Sequence, residues 1–131
     1  MAKPNGFGKK EKLKSRKQID DLFARGKSFA IPPIRVSFQF LPTEEKPVFQ
    51  AGVTASKRNF KKAVDRNRIK RLLREAYRLQ KAGLKETAAK NRMNCYLFFL
   101  YTDKTIAPFS LIYERMGQCL NRLQKTIEQM A

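Results

Sequence analysis

Residues Lys57–Lys81, KRNFKKAVDRNRIKRLLREAYRLQK, constrain this chain more than any other stretch. The segment holds 11 of the 29 basic residues and only two acids, Asp65 and Glu75. At about 100° per residue, a helix from Ala63 to Lys81 gathers Ile69, Leu72, Leu73, Ala76 and Gln80 on one side. Asn67, Arg71, Arg74 and Arg78 fall on the opposite side, with Lys70 and Lys81 on the flank. The apolar seam has to be buried against another element, and the arginine side has to stay outside it. Solubility alone does not explain such a face, because the interleaved Glu and Asp that stabilise an exposed helix are nearly missing. The guanidinium fork suits phosphate oxygens and stacks on bases.

The rest of the chain supplies what that helix packs on. Ser15 and Gln18 form a capping-box signal ahead of Ile19, Leu22 and Phe23, with Gly26 as the stop. Ile34, Val36, Phe38 and Phe40 alternate with Arg35, Ser37 and Gln39. Phe49, Ala51, Val53 and Ala55 alternate with Gln50, Gly52, Thr54 and Ser56. These read as two strands of a hairpin, apolar on one side and small or polar on the other. Cys95–Tyr101 is apolar on both faces, as a central strand is. Ser110–Gln129 is an amphipathic closing helix carrying Leu111, Ile112, Met116, Leu120, Leu123 and Ile127. The expected order is helix, two strands, helix, strand, helix. That is a single-domain α+β fold, three helices on a small mixed sheet, over residues 15–131, behind a flexible basic arm at 1–14.

Charge narrows the function. The formal net charge is +18, from 29 Lys+Arg against 11 Asp+Glu, and a polyanionic partner is the simplest reason to tolerate its self-repulsion. DNA and RNA both remain open at this point. A helix-turn-helix reader is disfavoured, since strands rather than a companion helix precede the basic helix. No apolar run is long enough to span a membrane, and the N-terminus lacks the apolar stretch of a signal peptide, so a cytoplasmic location is expected. Cys95 and Cys119 are expected as reduced thiols in the core. There is no histidine. Two cysteines do not complete a zinc site, and the adjacent pairs Asp20–Asp21 and Glu44–Glu45 point apart rather than forming an acid/base dyad. No catalytic or metal-binding residues are assigned.

The run Arg66-Asn67-Arg68-Ile69-Lys70-Arg71-Leu72-Leu73-Arg74-Glu75, with Ala63-Val64 ahead of it and Ser56-Lys57-Arg58 closing the preceding strand, resembles the signature of the ribonuclease P protein family. Leu13-Lys14-Ser15 and Phe23-Ala24-Arg25-Gly26-Lys27 resemble that family's first helix. The resemblance runs from Leu13 to Lys125. It implies an α/β sandwich with a left-handed crossover, against the usual right-handed rule. It implies the protein subunit of a tRNA-processing endoribonuclease whose chemistry belongs to an RNA subunit with its magnesium ions. The partners implied are that catalytic RNA and precursor tRNA, with no obligate protein partner and no tightly bound cofactor. Lys57, Arg58, Lys61, Lys62, Arg66, Asn67, Arg68, Lys70, Arg71, Arg74 and Arg78 would meet the RNA subunit. Phe23, Arg35, Ser37, Gln50, Thr54 and Ser56 would line the cleft for the single-stranded 5′ leader. Ile19 and Ser37 stand where the family often has aromatics. The alternatives are a structural RNA-binding module, such as a ribosomal protein or RNA chaperone, and a metal-dependent nuclease acting alone.

Overall fold

The computed structural model describes residues 11–130. Its elements are α1 (Arg16–Arg25), β1 (Lys27–Ile31), β2 (Ile34–Pro42), β3 (Phe49–Ala55), α2 (Ala63–Gln80), α3 (Ala82–Lys90), β4 (Met93–Tyr101) and α4 (Phe109–Met130). The strands form one mixed sheet in the order β1-β2-β4-β3. The β3–α2–α3–β4 connection is therefore a crossover between neighbouring parallel strands. No described helix is long and apolar enough to cross a membrane.

The expected α+β architecture stands, with three differences. First, β2 and β3 are not a hairpin: β4 lies between them, antiparallel to β2 and parallel to β3. Pairing on both edges gives the backbone N–H and C=O groups of this apolar strand hydrogen-bond partners. The turn between β2 and β3 spans the gap. In it the Thr43 N–H donates to the Arg92 carbonyl at 2.9 Å, and the Cys95 N–H donates to the Val48 carbonyl at 2.7 Å. Second, the hairpin partner of β2 is β1, joined through a cis peptide at Pro32-Pro33. Its five residues carry only Phe29 and Ile31 toward the core, too little for a sequence signal. Third, there are four helices, since Ala82–Lys90 is α3. Only Leu84 and Ala88 of it are buried, one turn apart.

All three C-terminal helices pack on one face of the sheet. Ile34, Val36, Phe38 and Phe40 of β2, Phe49, Ala51 and Ala55 of β3, and alternate residues of β4 meet Ile69, Leu73, Ala76 and Tyr77 of α2 and the inward stripe of α4. The α2 seam is displaced slightly from expectation. Leu72 is only partly buried, whereas Tyr77 is fully buried, with its ring centroid 5.5 Å from that of Phe99. Gln80 is not core filling: its Nε2 donates to the Ala76 and Tyr113 carbonyls at 3.1 and 2.8 Å, tying α2 to α4.

Helix α1 lies on the opposite, open face. Ser15 caps it, its Oγ accepting from the Gln18 N–H at 3.3 Å, and Gly26 ends it, its N–H donating to the Leu22 carbonyl at 2.7 Å. A Cβ at Gly26 would lie 2.8 Å from the Phe38 carbonyl oxygen and nearer still to that of Leu22. Only glycine allows the chain to turn from α1 into β1 this tightly.

The arm expected at 1–14 falls mostly outside the described residues; its described part, from Glu11 onward, makes contacts with the rest of the fold. Lys12 bridges to Ala51 on the free edge of β3, the Leu13 N–H donates to the Ala51 carbonyl at 2.9 Å, and Leu13 is buried. Glu11 accepts from Lys81 Nζ and Lys85 Nζ at 2.9 and 2.8 Å. Lys81, expected on the solvated flank of α2, is instead fully buried.

Two outcomes test this packing. Leu73→Ala, at a fully buried position, should cost about 2–5 kcal/mol in denaturant titration, and Leu72→Ala, at the rim, distinctly less. Equal losses would mean that the helix is rotated. Burial raises the Glu11 carboxyl, but the hydrogen bonds and charges of Lys85 and Lys81 outweigh it and hold the group below its usual range. A lowered carboxylate value stabilises the fold above the unfolded value and loses that contribution as pH falls through the folded one. Glu11→Gln should therefore cost on the order of 3 kcal/mol at pH 7, because it strips a partner from a buried ammonium. The gap to the wild type should narrow below the ordinary carboxylate value of 4.5. Melting curves that stay parallel down to acid pH would contradict the ion pair.

Candidate nucleic-acid interface

Two surfaces carry the residues singled out from the sequence. The first is the outer side of α2 with the loop before it. Lys57, Arg58, Lys61, Lys62, Asn67, Arg68, Arg71 and Arg74 are exposed there, and Lys70 is half-buried. Two members of the expected set are occupied within the fold. Arg66 Nη1 donates to the Phe60 and Lys61 carbonyls at 2.7 and 2.9 Å, fixing the loop on the first turn of α2. Arg78 grips Glu75 at 2.6 Å, and that hydrogen bond holds the Glu75 carboxylate below its usual range. Among the described residues, the outward cations Arg68, Arg71 and Arg74 have no carboxylate within ion-pair distance, so this face presents nearly uncompensated positive charge.

The second surface is the cleft between α1 and the open sheet face. Pleating puts Arg35, Ser37, Thr54, Phe98 and Leu100 on that face, because Ser37 and Gly52 both register with Phe98 while Arg35 and Thr54 register with Leu100. Leu22 and Phe23 of α1, with Gly26 just beyond its end, form the other wall of a recess of about 260 Å³. Phe23 is 57% exposed, and its ring meets the Phe98 ring edge-on, with centroids 5.5 Å apart at 73°. Arg35 Nη2 donates to Ser28 Oγ at 3.2 Å, which spreads the guanidinium along the β1 side.

Of the residues expected here, Phe23, Arg35, Ser37 and Thr54 come together. Gln50 does not join them; it lies further along β3, in a recess with Glu11 and Lys85. Ser56 stands beyond the end of β3, where its Oγ accepts from the Arg58 N–H at 3.1 Å and shapes the basic loop. Sequence reasoning missed Phe98, Leu100 and Ser28. The signal was present in Cys95–Tyr101, whose even positions Tyr96, Phe98 and Leu100 share a face. With both faces apolar, the sequence did not say which one was open.

Among the described residues, no three His, Cys, Asp or Glu side chains come together as a metal site. Cys95 and Cys119 are free and buried. Burial pushes the Cys95 thiol well up and the Cys119 thiol to about 12, so neither is an available thiolate. What remains is a cationic helix beside a narrow groove with aromatic walls, the combination that grips phosphates and stacks bases of a single strand.

Comparison with known proteins agrees with this geometry. A family model described as Ribonuclease P matches residues 7–126. The ribonuclease P protein component of Porphyromonas gingivalis is 32% identical over 134 residues, spanning 100% of this chain and 97% of that one. That of Chlorobium phaeobacteroides is 28% identical over 130 residues, spanning 92% and 89%. Among solved structures, the RNase P protein from Thermotoga maritima has a TM-score of 0.66 at 21% identity, covering 86% of this chain and 96% of that one. The RNase P protein of Staphylococcus aureus has a TM-score of 0.65 at 20% identity, covering 85% and 93%. By sequence match over nearly its full length, and with the fold in agreement, this chain belongs to the ribonuclease P protein family.

Proposed function

We propose that this chain is the RNA-binding subunit of ribonuclease P, which docks on the catalytic RNA through α2 and holds the 5′ leader of precursor tRNA in the α1–sheet cleft. The observation that carries this reading is the pairing of two unlike surfaces on one small domain. The α2 face is convex, cationic and sequence-blind, as suits the phosphates of a folded RNA. The cleft is narrow, with Phe23 and Phe98 for bases and Arg35, Ser37 and Thr54 for phosphate or base edges. A single strand fits such a groove, whereas a duplex hides its base faces and does not. The removable part of precursor tRNA is single-stranded, so contact with it distinguishes substrate from product. Charge alone would help both forms equally. Endonucleolytic 5′ maturation is then chemistry of the RNA subunit and the magnesium ions it holds, and this chain contributes binding and orientation. No carboxylate cluster among its described residues suits such an ion.

Two double variants of the reconstituted holoenzyme separate the surfaces. Arg71→Ala with Arg74→Ala should weaken binding to the RNA subunit and flatten its salt dependence by about one unit of slope per lost phosphate contact. Ser37→Glu with Thr54→Glu should leave that binding intact and remove the preference for precursor over mature tRNA, read as the ratio of the two Kd values. A ribosomal or chaperone module with this charge would show the first effect without any precursor preference to lose. An unchanged ratio in the glutamate variant would mean that the leader does not pass over this face.

A further inference from the structure

Phe98 walls two recesses, not one. Beyond the cleft, on the β3 edge, lies a second hollow of about 110 Å³ bounded by Leu13, Lys14, Gly52, Arg74 and the same Phe98 ring. Its construction depends on several separate features of the fold. Gly52 provides the floor: a Cβ there would come within 2.9 Å of Phe98 Cε2, so a side chain at this position would push the ring away. Leu13, buried and hydrogen-bonded to Ala51, lays the incoming chain along the β3 edge. That places exposed Lys14 beside the same hollow as exposed Arg74, from the outer face of α2. No acidic residue lines the hollow.

We propose that this hollow is a nucleotide subsite: it takes one nucleotide of single-stranded RNA, with the base against Phe98 and the phosphate between Lys14 and Arg74. Any base offers a π-face to the ring, so the subsite is indifferent to sequence. The guanidinium fork and the ammonium are both donors to phosphate oxygens. The subsite rests on the reading of the cleft as the leader site and extends it. A strand leaving the cleft passes Phe98, crosses the β3 edge and reaches the cationic side of α2. Arg74 thereby stands where the leader track and the RNA-docking face meet.

The test uses holoenzyme containing the full chain and precursor tRNAs whose leaders increase in length. In the wild type, affinity should rise in two steps as the leader first fills the cleft and then the hollow. Lys14→Ala and Gly52→Val should each lose the second step, a decrease of about fivefold for a stacked nucleotide, and keep the first. Lys14→Ala should also lower the salt slope by about one unit for long leaders only, and Lys14→Arg should restore it. Lys14 is exposed, so its variants carry the test even if Gly52→Val does not fold. Long leaders bound by Lys14→Ala as tightly as by the wild type, while Ser37→Glu with Thr54→Glu has lost the precursor preference, would falsify the subsite and spare the cleft. If the glutamate variant also keeps the preference, the cleft reading and the subsite fail together.

Discussion

Strand β4 is hydrogen-bonded along its length on both sides, and the remaining architecture follows from that. Cys95 registers with Phe40 and Phe49, and Tyr101 with Ile34 and Ala55, so one set of alternate residues is committed to the helical face. The other set, Tyr96, Phe98 and Leu100, is committed to the open face by the same pleat. A slip of one residue would exchange Phe98 for Leu97 or Phe99 and destroy the core and the cleft together. The parallel pairing with β3 also demands a long return path. That path is α2 and α3, so the cationic helix stands beside the β3 edge because the sheet topology puts it there.

The charge distribution has the same origin. A chain of net charge +18 destabilises itself wherever cations crowd. Among the described residues, the fold keeps most of them apart on outer surfaces and neutralises the one it fully buries. Lys81 lies inside at the α2–α3 junction, and Glu11 reaches it from the segment strapped to the β3 edge. That ion pair does more than compensate a charge. It anchors the chain just before Leu13 and Lys14, so the position of the N-terminal strap, the edge of the sheet and the end of α2 are coupled. On the outer side of α2, by contrast, the scarcity of nearby carboxylates leaves the arginines available to an outside anion.

Much of this was legible in the sequence, and the failures have specific causes. The period-two strands, the Ser15 and Gly26 caps and the amphipathic α2 follow from local pattern, and the structure bears them out. The β2–β3 hairpin was a local guess overturned by a non-local pairing: nothing in Ile34–Ala55 records that β4 inserts between its strands. α3 was missed because two small buried contacts one turn apart make a faint periodicity. Lys81 was misplaced because a wheel assigns sides of a helix but does not know which other segment will cover its end. In the cleft, Phe23, Arg35, Ser37 and Thr54 were found from alternation and family pattern. Phe98 was not, since two apolar faces hide which one is open. Gln50 and Ser56 share the right side of β3 but lie beyond the reach of α1, a fact of helix length and placement that strand alternation does not encode.

Under the proposed function, this protein binds two RNAs and leaves bond cleavage to one of them. The most direct measurement is cleavage of precursor tRNA at low magnesium by the protein alone, by the cognate RNA subunit alone, and by both. Rapid 5′ cleavage is expected only when both are present, and none by the protein without the RNA. Site-specific cleavage by the protein alone would contradict it.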